Sequence, residues 1–473
     1  MHQEAIDPRT PILVAVGQTT VHWDATSTEQ APDPQSLLES AAKGALADSG
    51  KPTPLSAAID KVMVIRGNLD SVEGGTHPFG RSKNPPGALA TALGLAASGL
   101  VYSVVGGDQP QALVNEAAEQ LFAGEAKAVL IAGSEALGAM KQALKARKKL
   151  DWSDNAVGDY EDRGTGPVLL SEYERKNGLG MPTQTYPAFE HALRARLGNS
   201  RESHVALMSE IWEGFSKVAA QNPYSQFSGE HSREFLATSG KNNYPVADPY
   251  LKWHVAQDAV NQGAAVIVTT VAEAMALGID PAKWIFLHGY AAAKDRLVTE
   301  RSDLSRSRAI ELALSTALDA AGKSPTDIAF FDLYSCFPCA VLLAAEALAL
   351  DWRKTVPTVT GGLPFFGGPG NSYSLHAIAT MTERLRAAPD QFGLILANGG
   401  FLSKEAVGIY SAIPKPQWQP VSSKAIQSQI DGMAAPQLLS ETCEAMVETF
   451  TVTYQKGQPT RGYVIAKTEA GRI

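Results

Sequence analysis

Short apolar runs alternate with helical stretches along this chain, the alternation runs through twice, and no other feature narrows the possible fold as far. Residues 12–17 (ILVAVG), 62–65, 101–105 and 128–132 (AVLIA) read as buried strands, and 264–270 (AAVIVTT) adds another far downstream. Between them, 34–49, 86–95 and 108–122 read as helices; in the first, Leu37, Leu38, Ala41 and Ala45 fall at helical spacing. Asp33 followed by Pro34 marks that helix's start and Gly50 its end. The second half repeats the order, with strands at 284–288, 328–333 and 392–397 (FGLILA) and helices at 305–321, 336–350 and 371–387. Strands without polar alternation are buried on both faces, so each half predicts a sheet covered by helices. Two such halves make a duplicated, layered α/β fold.

The pattern breaks between the halves. Residues 134–260 are rich in Gly, Pro, Asn and aromatics, as in GTGP at 164–167 and NPYSQF at 222–227. So long an irregular insertion usually covers a site. The division expected is a first half at 1–133 and 261–283, a loop domain at 134–260, a second half at 284–413 and an appended module at 414–473. PKPQWQP at 414–420 reads as a linker, followed by strands at 446–454 and 462–466 around a turn at Lys456-Gly457. The chain stops soon after Glu469-Ala470-Gly471, which reads as a small β module, OB-like, cut short.

A chain of 473 residues is too long for one core. Its net charge of −8 argues against general nucleic-acid binding, which needs a basic surface. The one basic stretch, 141–149 with Lys141, Lys145, Arg147 and Lys148, reads either as a solvated helix face or as a landing site for a cofactor's phosphates. No apolar run is long enough to span a bilayer, residues 1–11 lack a signal core, and three cysteines at 336, 339 and 443 build no disulfide framework. The expectation is a cytoplasmic protein with no membrane span, no metal and no tightly held cofactor.

Glycine-rich corners stand at several junctions of strand and helix: Gly106-Gly107-Asp108, Gly361-Gly362, Gly367-Gly368-Pro369-Gly370-Asn371 and Asn398-Gly399-Gly400. One such corner is an ordinary turn. Four at equivalent places point to the carboxyl ends of the strands, where α/β proteins bind ligands. None matches a dinucleotide or phosphate-loop fingerprint, which excludes a nicotinamide-dependent reading.

With VGGDQPQA (105–112), NQGAAVIV (261–268), YSCFP (334–338), GGLPFFGGPGNSYSLHA (361–377) and ANGGF (397–401), the chain resembles the thiolase superfamily from about residue 11 to 412. Within it, the sequence is similar to type 1 thiolase-like proteins, relatives of the sterol-carrier-protein-type thiolases. The resemblance implies a five-layered αβαβα fold, a loop domain over a coenzyme A site, a small extra C-terminal domain and an inherited homodimer through the strand at 101–105. It also implies chemistry: acyl transfer of the acetyl-CoA acetyltransferase type, in which a cysteine carries the acyl group, a histidine activates it and a second cysteine moves protons.

This chain departs from that pattern where the chemistry is done. Gly106, or Gly107 one residue on, stands in place of the nucleophile, and Gly368 in place of the activating histidine. Tyr334-Ser335-Cys336-Phe337 keeps only Cys336 and Phe337 of a His-Asp-Cys-Phe motif, and Ala397-Asn398-Gly399 lacks the cysteine of a Cys-x-Gly motif. Cys336 is the candidate acid/base, its thiolate favoured by a helix start, with a buried core thiol as the alternative. It forms a CxxC with Cys339, but no thioredoxin-like unit surrounds the pair. Asn398 joins the candidate catalytic set. Gly107, Tyr334, Phe337, Gly399, Gly400 and His376 are the candidate substrate contacts, His376 having an ordinary helix histidine as its alternative. Two readings follow: an acyl-CoA-binding acyltransferase without a covalent intermediate, or a non-catalytic acyl-CoA-binding or scaffold protein whose C-terminal module docks a partner subunit.

Overall fold

The computed structural model describes residues 6–72, 74–440 and 442–473. The first half supplies β1 (Pro11–Thr20), β2 (Lys61–Val64), β3 (Gly99–Tyr102) and β4 (Ala128–Glu135). The inserted segment carries three short strands, β5 (Glu161–Asp162), β6 (Pro245–Ala247) and β7 (Tyr250–Leu251), and β8 (Gln262–Thr270) then returns to the first half. The second half supplies β9 (Ile285–Lys294), β10 (Phe330–Leu333), β11 (Phe392–Gly399) and β12 (Lys404–Ser411). A terminal hairpin consists of β13 (Met446–Gln455) and β14 (Gln458–Lys467).

Among the described residues, ten strands follow one another in the order β10-β11-β12-β9-β1-β8-β4-β2-β3-β5. Among the described residues the two half-sheets pair where β1 meets β9, through Ile12 opposite Phe286 and Leu13 opposite Ile285. Helices Gln109–Ala123 and Tyr373–Ala387 pack against both half-sheets and against each other, so they form the middle layer. Pro34–Asp48 and Pro85–Ala92 cover the outer face of the first half, and Arg308–Ala321 that of the second. Helix, sheet, helix, sheet, helix is the duplicated five-layer arrangement expected. Its central strands carry no polar side on either face: every described residue of β4, β11 and β12 is buried.

The first helix begins as its sequence dictates. The Asp33 carboxylate accepts the Ser36 N–H at 2.9 Å, and Pro34 fills the first turn. The inserted segment is less irregular than its composition suggests. It contains helices Pro182–Arg196 and Arg201–Gln221, and the second buries Met208, Ile211, Trp212 and Phe215 along one face. The terminal hairpin does not stand apart. β13 pairs with β6 in a four-stranded sheet ordered β14-β13-β6-β7, and Thr449 Oγ1 donates to the Ala188 carbonyl of the insertion at 2.7 Å. Arg472 ties the tail back, donating to Glu448 at 2.7 and 2.8 Å and to the Thr299 carbonyl at 2.9 Å.

The strand expected at a homodimer edge is covered. β5 lies parallel to β3 over Val101 and Tyr102. It is held by an ion pair from Arg66 to Asp162 and by a bidentate pair from Arg163 to Glu116 at 2.7 and 2.8 Å. Among the described residues, no helix is long and apolar enough to cross a membrane.

Candidate functional site

Two of the glycine corners, Gly106-Gly107-Asp108 after β3 and Asn398-Gly399-Gly400 at the end of β11, meet at the start of the Tyr334-Ser335-Cys336 segment that follows β10. Gly106 takes φ +149°, and its N–H donates to Asn371 Oδ1 at 3.1 Å. A Cβ at Gly106 would overlap Asp108 Oδ1 and Lys404 Nζ; one at Gly107 would overlap the Tyr334 hydroxyl. The space a side chain would need at either expected nucleophile position is therefore filled by neighbours. Lys404, from β12, lies 3.1 Å from Asp108 Oδ1 and donates to the Val105 carbonyl, and both charged groups are buried. A buried pair of this kind costs several kcal/mol if one partner is removed.

Cys336 lies on the other side of the corner. Its Sγ is 3.6 Å from Asn398 Nδ2, which also donates to the Tyr186 hydroxyl at 2.9 Å. Tyr186 comes from the inserted helix Pro182–Arg196 and binds several candidates together. Its ring stacks on Phe337 at 4.2 Å, its hydroxyl accepts the Leu402 N–H at 2.9 Å, and it lies 3.3 Å from the Gly400 carbonyl. Tyr334 packs edge-on against Tyr373, and Asp108 beside Gly399 closes the floor.

The surroundings of Cys336 disfavour the thiolate expected there. The helix begins at Pro338, two residues later, with Phe337 as its extended cap. Its first turn is already met by a carboxylate, since the Cys339 N–H donates to Glu190 Oε2 at 2.8 Å. Burial pushes the Cys336 thiol up to about 12, and the nearby Glu405 adds to the effect. A thiol held up in this way favours donating a proton over abstracting one. Cys339 is fully buried beside Tyr250, at 3.7 Å.

Glu405 has no hydrogen-bond partner on either oxygen among the described residues, and burial, then Asp295 and Asp108, raise its carboxyl well above the usual range. It stands directly opposite Asn398 across the β11–β12 ladder, so the two share a face. Asn398 Oδ1 likewise lacks a partner. Orphaned polar atoms gathered next to a thiol call for water or ligand between them.

Two candidates lie elsewhere. His376 is buried in the middle-layer helix, its Nδ1 2.9 Å from Gln18 Oε1 and its ring against Phe366; burial pushes it down to about 3. Its Nε2 is buried without a partner among the described residues. Gly368 donates to the Gln257 carbonyl at 2.8 Å, and the adjoining Ala256 N–H donates to the Cys336 carbonyl at 3.1 Å, so one segment touches both. Sequence reasoning did not single out Lys404, Glu405, Tyr186 or Glu190. Lys404 and Glu405 follow the Asn398-Gly399-Gly400 corner directly, and their nearness to it was the available signal; the two inserted-helix residues carried none.

A duplicated five-layer sheet with glycine corners meeting at its strand ends defines a thiolase fold. A search with protein-family models finds no match, and neither does a search of curated proteins. Solved structures do match. A monomeric SCP2-thiolase-like protein type 1 from Mycobacterium smegmatis is 35% identical, with 99% of this chain and 92% of that chain covered and a TM-score of 0.83. The Ltp2-ChsH2(DUF35) aldolase shares the fold at 17% identity, with 87% and 100% covered and a TM-score of 0.62. An acetyl-CoA acetyltransferase from Syntrophomonas wolfei does so at 16% identity, with 86% and 100% covered and a TM-score of 0.62. The chain belongs to the thiolase superfamily and, within it, to the type 1 SCP2-thiolase-like proteins.

Proposed function

We propose that this protein binds acyl-CoA thioesters and does not pass the acyl group through a covalent enzyme intermediate. One observation supports the reading: the Lys404–Asp108 pair occupies the space a side chain at Gly106, where the nucleophile is expected, would need. The corner amides would be the donors for a thioester oxygen, those of Gly106 and Gly368 only by giving up Asn371 and Gln257. The coenzyme A would lie under the inserted segment, and the exposed lysines and arginine of 141–149 would meet its phosphates.

The test is calorimetry with CoA and acetyl-CoA, paired with mass spectrometry after incubation with acetoacetyl-CoA. Binding without a mass increase on the protein is the expected result. A trapped acyl-enzyme, or no binding at millimolar CoA, would sink the reading.

A second reading, direct acyl transfer with Cys336 as proton donor, draws support from the Asn398–Cys336 contact and the orphaned Asn398 and Glu405 oxygens beside it. On that reading Cys336→Ala keeps CoA affinity and loses turnover by about a hundredfold. Equal turnover in both proteins leaves the thiol as packing. No turnover in either leaves the protein as a binder or scaffold.

A further inference from the structure

A second cleft opens away from Cys336, at the carboxyl ends of β2, β3 and β4. It has a volume of about 80 Å³, where one water needs roughly 10–15 Å³, so it suits a ligand of about six heavy atoms. Its wall is built by the start of helix Pro34–Asp48 and by Trp152 from the insertion.

The polar groups in it are unevenly paired. Asp70 is fully engaged: Arg81 donates to it, His77 lies 3.3 Å away and the Tyr102 hydroxyl donates at 2.7 Å. Glu135, at the end of β4, is 3% exposed and accepts one hydrogen bond, from the Asn68 N–H at 2.6 Å. Among the described residues it has no cationic partner. The Trp152 indole N–H is buried with no acceptor, and the Arg81 guanidinium reaches the mouth half-exposed. A carboxyl lacking a cation thus shares a small cleft with an indole N–H lacking an acceptor and with a half-exposed guanidinium whose partner is Asp70. Leu38 and Leu137 supply apolar wall between them.

We infer that this cleft is a binding site for a small primary amine that also carries an acceptor, the chemistry of a short amino acid, with the ammonium on Glu135 and the acceptor on Trp152 and Arg81. The site is separate from the thioester reading and stands or falls without it, although Glu135 packs against Gly370 and so borders the 367–371 corner.

The pairing has a definite pH signature. Burial holds the Glu135 carboxyl up at about 8, with Asp70 and Asp258 adding to it. Asp258 is itself paired with Lys141, and Asp70 with Arg81 and His77. An ammonium is held best once Glu135 is ionised, so affinity rises as pH climbs toward the carboxyl's value.

The test is titration of the full chain with alanine and with β-alanine, using propylamine and propionate as half-ligands. Both amino acids are expected to bind on the order of tenfold more tightly at about pH 8.5 than at about pH 6.5. Glu135→Gln, which keeps shape, is expected to abolish most of that binding while its circular-dichroism spectrum stays native. Propylamine is expected to follow the same pH trend more weakly, and propionate alone to bind least. Should the variant not fold, the pH trend of the natural protein decides. Three results would each overturn the proposal: propionate binding as well as the amino acids, affinity that falls or stays level with rising pH, or no binding at tens of millimolar.

Discussion

Three thiols sit in three surroundings, and their reactivity reports the site directly. Cys443 is exposed, while Cys336 and Cys339 are buried and pushed upward by that burial. An aromatic disulfide reagent at neutral pH is expected to titrate one thiol per native chain and three after denaturation. A second fast thiol would mean that the Asn398–Cys336 corner is open. Gly106 gives the complementary experiment. Gly106→Cys puts a side chain against Asp108 and Lys404, at a φ that L residues rarely adopt. The expected result is a loss of roughly 2–4 kcal/mol of stability, from overpacking and backbone strain together, with no thiolysis of acetoacetyl-CoA. Denaturant melts and a thiolysis assay on the variant check both halves. Return of activity would place the missing nucleophile correctly but make Lys404 and Asp108 mobile.

Between elements, Glu190 is the joint that fixes Cys336's helix to the insertion. Its carboxylate accepts from the Cys339 N–H and the Tyr250 hydroxyl, both at 2.8 Å, and stands 2.7 Å from His204 Nε2. Glu190→Ala leaves buried groups unpaired on three elements and is expected to cost about 3 kcal/mol or more, read as a shifted urea midpoint; Glu190→Gln is expected to cost less. The elements differed in how plainly the sequence announced them. Helix Pro34–Asp48 was legible through Asp33, Pro34 and the spacing of its leucines, and β11 through its unbroken apolar run. β12 was not, because Lys404 and Glu405 open it and charges inside a buried strand contradict its pattern. One of them finds its partner in Asp108, far along the chain. Helix Arg201–Gln221 was legible in principle, since Met208, Ile211, Trp212 and Phe215 keep helical spacing, but the glycines, prolines and aromatics around it suggested loop. Tyr186 shows the limit most plainly: nothing local marks a tyrosine that will stack on Phe337 and reach Asn398.

For the whole molecule, the covered edge of β3 bears on assembly. A homodimer through that strand needs β5 lifted away and the pairs Arg66–Asp162 and Arg163–Glu116 broken. Sedimentation of the full chain is expected to show a monomer, and Arg163→Ala with Asp162→Ala a greater tendency to pair through the freed edge. A natural protein that sediments as a dimer would contradict this. The strand order carries a further consequence, one of timing. β8 lies between β1 and β4, yet residues 136–261 are made after β4 and before it. At roughly 5–20 residues per second, the nascent chain spends on the order of ten seconds with the inner edges of β1 and β4 complete and unpaired. β4 is buried throughout in the folded protein and β1 along most of its length, so apolar strand edges stay uncovered for that interval while the chain is being made.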